Sequence, residues 1–208
     1  MSPMKPILLD LPMPIVTPRL LIRPPQIGDG VVVNEAVLES LESLQQFTDW
    51  AHPTPTPDDT ESFVREAVAN WILKRNDEPY LPLFIFDKTS GRYIGGTGYH
   101  HFNWSVPCLE TGYWIRKSAS GYGFMTEAIN ALTHYAFKEL HVKSIRITCE
   151  VDNVRSLKIP ERLNYSLEGI LRSQRIQPLT GKITDTRVYA KYDLDNLPEL
   201  SVHWGTST

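Results

Sequence analysis

The sequence predicts a single mixed α/β (α+β) domain, and three observations carry that expectation. Apolar residues recur at helical spacing in some stretches and alternate with a period of two in others. The two kinds of segment interleave along the chain, with no internal repeat and no linker between two cores. At 208 residues the chain is long enough to bury about 70% of its unfolded surface, so a full core needs no staples.

Taken in order, residues 1–16 read as an extended lead-in arm, because seven of the 16 prolines fall within the first 25 residues. Thr17 to Arg23 mixes apolar and basic residues and stops at Pro24-Pro25, a strand signal. Val33, Val37, Leu41 and Leu44 set a helix within residues 31–48. Pro53, Pro55 and Pro57 then stiffen a loop, and Asp58 to Glu61 opens a second helix continued by Phe63, Val64, Ala67, Val68 and Trp71. Leu81 to Phe86 and Tyr93 to Tyr99 form a hairpin around the turn Asp87 to Gly91, and Leu109 to Ile115 adds a third strand. A helix is expected from about Thr126 to Leu140, with Ile129, Leu132, Ala136 and Leu140 as its apolar stripe. Ser144 to Val151 is a strand, Asn153 to Leu163 a short helix, and Tyr165 to Leu171 and Val188 to Leu194 are strands. The domain is expected over residues 17–194, with 195–208 as a C-terminal tail.

Composition narrows the partners. With 21 basic and 24 acidic residues, net charge −3, nothing pulls the chain globally toward nucleic acid or an anionic membrane. Two cysteines, Cys108 and Cys149, are too few for a disulfide framework. No apolar run approaches the ~18 residues of a spanning helix, and the start lacks a secretory pattern. A soluble, cytoplasmic monomer or homodimer is expected. No His, Cys or Asp cluster has metal-ligand spacing, so no metal is expected.

The chemistry concentrates around Ser120-Gly121-Tyr122-Gly123, where a strand runs through a glycine loop into an amphipathic helix. Glycine allows close backbone approach and positive φ. The helix start presents unpaired N–H groups and a positive dipole end, which suit a diphosphate. The loop lacks the Lys-Ser/Thr of a nucleotide P-loop and the third glycine of a dinucleotide fingerprint.

With this loop stand Gly112-Tyr113-Trp114-Ile115, Met125-Thr126-Glu127-Ala128 and the stretch from Asn153 to Tyr165. On these motifs the chain resembles the GNAT acetyltransferases, and within them the Rim-type enzymes that acetylate ribosomal-protein N-termini. The resemblance spans about residues 17–194. It implies a central mixed, mostly antiparallel sheet with helices on both faces, and acetyl-CoA as donor with coenzyme A as product. It places the phosphate loop on Ser120, Gly121, Tyr122, Gly123, Phe124, Met125 and Thr126, where Gly123 alone matches the family pattern outright. It also implies that Tyr113, Trp114 and Ile115 splay from a neighbouring strand at a bulge, freeing main-chain groups for the pantetheine arm. Asn153 matches the asparagine that binds that arm, and Ser156 the position near the thioester sulfur. The family's acid tyrosine would fall at Pro160. Proline there leaves the Ser156 carbonyl without its helical partner, and Ser156, directly or through a water, is expected to supply the proton. Asn164 is expected as a left-handed helix cap.

On the acceptor side, an α-amine titrates near 7.7–8.0, so a weak base suffices. Glu110, His100 and His101 are the base or acceptor-side candidates; Glu110 begins a strand and, by the resemblance, stands at a position that is typically acidic in the family. Alternation along a strand turns only one of the two histidines into the cleft. Trp50 is expected to wall the acceptor groove, and Arg116 and Lys117 are positioned to meet phosphates. The expected acceptor is a protein N-terminal α-amine. The alternatives are a small amine such as an antibiotic or polyamine, or a catalytically silent acyl-CoA-binding module.

Overall fold

Local signals build the first edge of the sheet in the computed structural model, which describes residues 5–75 and 80–205. Strands β1 (Ile15–Val16) and β2 (Leu20–Arg23) pair antiparallel across a tight turn. The Leu20 N–H donates to Thr17 Oγ1 at 2.9 Å to close that turn. Helices α1 (Gly30–Phe47) and α2 (Pro57–Leu73) follow. A capping box fixes the start of α2: Asp59 N–H donates to the Thr56 hydroxyl and Thr56 N–H to the Asp59 carboxylate. Asn34 of α1 donates to Pro55 O and Thr60 Oγ1, both at 3.0 Å, which ties the proline loop to both helices.

Strands β3 (Leu81–Asp87), β4 (Tyr93–Asn103) and β5 (Cys108–Ile115) form an antiparallel meander. Helix α3 (Phe124–Lys138) then crosses over to β6 (Ser144–Glu150), which is parallel to β5. After α4 (Val154–Arg162), the long hairpin of β7 (Ser166–Ile176) and β8 (Ile183–Lys191) completes that side, and β9 (His203–Trp204) returns to pair with β1. The nine strands form one sheet in the order β7-β8-β6-β5-β4-β3-β2-β1-β9, antiparallel everywhere except β5–β6.

The period of two in β3 sends its side chains to opposite layers. Phe84 and Phe86 pack with Val33, Val37 and Val64 beneath α1 and α2. Leu83 and Ile85 pack with Ile129, Leu132 and Leu157 of α3 and α4. Helices therefore cover both faces.

Four boundaries differ from the sequence reading. The lead-in arm ends as strand β1 and the tail contains β9, so both enter the sheet instead of standing outside residues 17–194. Trp204 anchors that edge by donating to Glu139 Oε1 at 2.7 Å and meeting Tyr135 edge-on. Helix α3 begins at Phe124, because Gly123 takes φ 78° and starts the helix immediately. The β7–β8 hairpin runs to Ile176 and Ile183, with register shifts that carry the strand past a left-handed Ser173.

Candidate active site

Strands β5 and β6 pair only from Cys108 with Ser144 to Glu110 with Arg146. From Thr111 to Ile115, β5 pairs with β4 alone, so its other edge of N–H and C=O groups is open. A bulge was expected to cause this splay, but the β4–β5 register is regular across Gly95–Tyr99. Divergence of the parallel pair does it instead. The irregularity of the β4–β5 ladder lies elsewhere, between His100 and Asn103.

A cleft of about 620 Å³ opens at this splay. It is lined by the aromatic side chains of Trp50, Phe63 and Tyr80 and, from β6 and the start of α4, by Cys149, Asn153 and Ser156. Trp50, expected to wall the acceptor groove, lines this cleft, is 49% exposed and tilts against Trp114 at a ring separation of 5.9 Å. Gly96 makes room for that wall: a Cβ there would lie 2.7 Å from Trp114 Nε1. Thr97 Oγ1 donates to Gly112 O at 2.8 Å and Thr111 Oγ1 to Gly98 O at 2.9 Å, locking the floor of the cleft.

Where β5, β6 and α4 approach one another, three side chains meet. Tyr113 Oη donates to Ser156 O at 2.8 Å, Cys149 Sγ lies 3.4 Å from Ser156 Oγ, and Tyr113 Oη is 3.8 Å from that sulfur. Burial pushes the Tyr113 phenol well up and the Cys149 thiol up, so both stay protonated near neutrality. Beyond the main-chain role expected of Tyr113, its hydroxyl satisfies the carbonyl that Pro160 leaves open. Asn153 lines the cleft and caps α4, its Oδ1 accepting from Ser156 N–H at 3.2 Å.

The glycine loop lies outside the cleft lining, at the start of α3. Gly121 and Gly123 take φ 91° and 78°, and a Cβ on Gly121 would meet nothing within 4 Å. The first-turn N–H groups of α3, including those of Phe124, Met125 and Thr126, lack intrahelical acceptors. Met125 turns its side chain into the core, while Ser120 and Tyr122 are exposed. Arg19 braces the loop: Nη1 donates to Tyr122 O at 2.9 Å, Nε pairs with Glu127 at 2.5 Å, and the guanidinium covers the Phe124 ring. Open amides at a helix start beside an open strand edge fit a ligand that joins a diphosphate to an amide-bearing arm. Arg116, expected at the phosphates, is instead engaged by Glu39 at 2.5 Å and only 12% exposed.

The histidines depart from simple alternation. His101 takes φ 50° inside the β4 irregularity, where two residues of β4 oppose one of β5, and this turns both imidazoles together. Their rings stand 4.7 Å apart, with Nδ1 to Nδ1 at 3.2 Å, and His101 Nδ1 lies 3.4 Å from Glu110 Oε2. His100 lines the cleft, whereas His101 and Glu110 do not. Burial, then the neighbouring His101, lowers the pKa of His100.

Two cleft residues escaped the sequence reading. Glu150 is 2% exposed at the end of β6, with Oε1 accepting from Gln177 at 3.0 Å and Oε2 without a hydrogen-bond partner. Arg175 of β7 lines the same region, with no carboxylate within 4 Å among the described residues. The available signal for Glu150 was a carboxylate directly after Ile147 and Cys149, where the strand's buried residues crowd toward its end. Nothing local marks Arg175, which arrives only through the register shift in β7.

An open strand edge, a helix start with free amides and a hydroxyl at the junction define a group transferase of the acyl-transferring kind. Residues 19–166 match the acetyltransferase (GNAT) domain, and the chain belongs to that family of N-acetyltransferases. It is 27% identical over 148 residues to the ribosomal-protein-serine acetyltransferase of Escherichia coli (strain K12), covering 71% of this chain and 78% of that protein. It is 26% identical over 133 residues to the putative ribosomal N-acetyltransferase YdaF of Bacillus subtilis (strain 168), covering 64% and 71%. Among solved structures, the RimL ribosomal L7/L12 alpha-N-protein acetyltransferase in complex with coenzyme A gives a TM-score of 0.75 at 25% identity, covering 87% of this chain and 98% of that one. No helix among the described residues is long and apolar enough to cross a membrane.

Proposed function

We propose that the protein transfers the acetyl group of acetyl-CoA to the α-amine of a protein N-terminus by direct attack. The observation that carries this reading is one continuous cleft, joining the open edge of β5 and Ser156 to an aromatic acceptor wall. The donor supplies an acetyl thioester. The first-turn amides of α3 and the loop at Gly121 and Gly123 hold its diphosphate, and the free main chain of Tyr113, Trp114 and Ile115, with Asn153, orients its arm. Ser156 holds a proton at Oγ for the departing thiolate, its position fixed by the Asn153 cap and the Tyr113 hydrogen bond.

The acceptor enters past Trp50. Its amine is partly free base at neutral pH, and the proton it loses on forming the amide leaves to a weak base or a water chain. Glu150, buried in the cleft with one oxygen unpartnered, supplies negative charge for an incoming ammonium. Glu110 sits behind the histidine pair and orients His101. The relatives named for ribosomal-protein acetylation support the choice of a protein N-terminus over a small amine.

Release of free thiol from acetyl-CoA is the deciding measurement, with peptides varied at the N-terminal residue, N-blocked lysine peptides and spermidine as acceptors. Turnover confined to free α-amines supports the reading. Turnover on spermidine with none on peptides overturns it, as does coenzyme binding without turnover on any amine.

A further inference from the structure

We propose that His100, His101 and Glu110 form a binding site for a divalent late transition metal, with zinc the best fit. Each residue brings a ligand atom within 4.8 Å of the other two. Two of the three separations are 3.2 Å, between the histidine Nδ1 atoms, and 3.4 Å, from His101 Nδ1 to Glu110 Oε2. Tetrahedral zinc with bonds of ~2.0–2.1 Å to nitrogen and oxygen requires ligand atoms about 3.3 Å apart. The third separation, between His100 and Glu110, is within 4.8 Å.

The backbone brings these groups together in a way that linear spacing conceals. Neighbouring residues of a regular strand face opposite sides, so His100 and His101 would ordinarily be unable to share an ion. The left-handed φ of 50° at His101 and the extra residue on β4 remove that obstacle. Gly112 contributes space on β5, since a Cβ there would stand 3.3 Å from His100 Nε2.

The donor set selects the metal. Two imidazoles and one carboxylate suit zinc and its neighbours in the first transition row, whereas calcium and magnesium favour all-oxygen shells. Three protein ligands leave the fourth position to water or an external ligand. The His101 side chain is 74% exposed, so an ion reaches the site directly from solvent. Among the described residues Glu110 has no lysine or arginine nitrogen within 4 Å to compete for its carboxylate. His100 also lines the cleft, so the site adjoins it.

The test is titration of the metal-free protein with zinc against a chromophoric chelator, together with cobalt substitution read by visible absorption. One equivalent of zinc and a tetrahedral cobalt spectrum are expected. His101→Asn removes an imidazole while keeping a residue that tolerates the left-handed backbone. It should weaken zinc at least ~10-fold, the smallest effect typical even of losing a partner behind a metal ligand, and Glu110→Gln should do likewise. His203→Ala, on the distant edge strand, should leave the affinity unchanged. Thermal melts of the metal-free variants that overlay the wild type separate lost ligation from lost folding. Absence of saturable one-to-one binding, or binding that survives both His101→Asn and Glu110→Gln, overturns the proposal.

Discussion

Tyr113 donates its phenolic hydrogen to the main-chain carbonyl of Ser156 at 2.8 Å, the carbonyl that Pro160 leaves without a helical N–H. One side chain from the splayed strand thus completes the hydrogen bonding of the helix that carries the proposed acid. Removing the hydroxyl by Tyr113→Phe strands a part-buried carbonyl and should cost about 1–2 kcal/mol in urea denaturation. Pro160→Ala supplies an N–H four residues after Ser156. In the Tyr113→Phe background it should recover much of that loss, with a coupling of about 1 kcal/mol in the double-mutant cycle. Additive effects would show that the two groups do not share this carbonyl.

Ser156 Oγ and Cys149 Sγ lie 3.4 Å apart, and the mechanism assigns them unequal roles. A positioned proton donor contributes typically 10²–10⁴-fold, so Ser156→Ala should lower kcat by about 100-fold. Coenzyme A affinity should hold, because the amides of α3 and the main chain of β5 are untouched. Cys149→Ala removes a protonated thiol and should lower kcat far less. Steady-state kinetics with calorimetric coenzyme A binding check both, and equal losses in the two variants would contradict the assignment.

How much of this was legible before folding depends on whether the cause was local. Gly123 and Asn164 were readable because each needs a left-handed backbone, and both adopt it, at φ 78° and 53°. Pro160 was readable because the missing N–H is a property of the residue itself. Tyr113 as the replacement donor was not, since Tyr113 and Ser156 lie 43 positions apart and meet only through β5 and α4. The histidine pair was misjudged for a physical reason: strict alternation holds only in a regular strand, and the extra residue at His101 breaks it. The edge pairing of β1 with β9 escaped for another, because two-residue strands carry too little pattern to register.

Glu150 tests the proposed role of negative charge in the cleft. Its Oε1 is satisfied by Gln177, and Oε2 has no partner. Glu150→Gln keeps the shape and removes the charge. A hydrogen bond to a charged group contributes about 1.5–3 kcal/mol, so KM for an α-amine peptide should rise at least ~10-fold while KM for acetyl-CoA holds. A rise in the donor KM alone would assign the carboxylate to donor binding instead.

Glu39 joins the acceptor-side helix to the loop that leads into the glycine turn. Its Oε1 accepts from Ser118 N–H at 2.8 Å, and its Oε2 meets Arg116 at 2.5 Å and Arg92 at 3.3 Å. Hydrogen bonding from Ser118, then the Arg116 contact, outweigh desolvation and pull its pKa from 4.5 down to about 2. A depressed folded-state pKa means that the unfolded chain binds the proton more readily. The stabilisation is therefore complete above the unfolded value and is lost as pH falls through about 2. With the carboxylate 27% exposed, solvent screening reduces the contribution, and Glu39→Gln should cost about 1–2 kcal/mol at pH 7. Denaturation of the two proteins at intervals down the acid range should show that difference shrinking below about pH 4.5 and vanishing near pH 2. A difference independent of pH would mean that Glu39 acts through packing alone, without its charge.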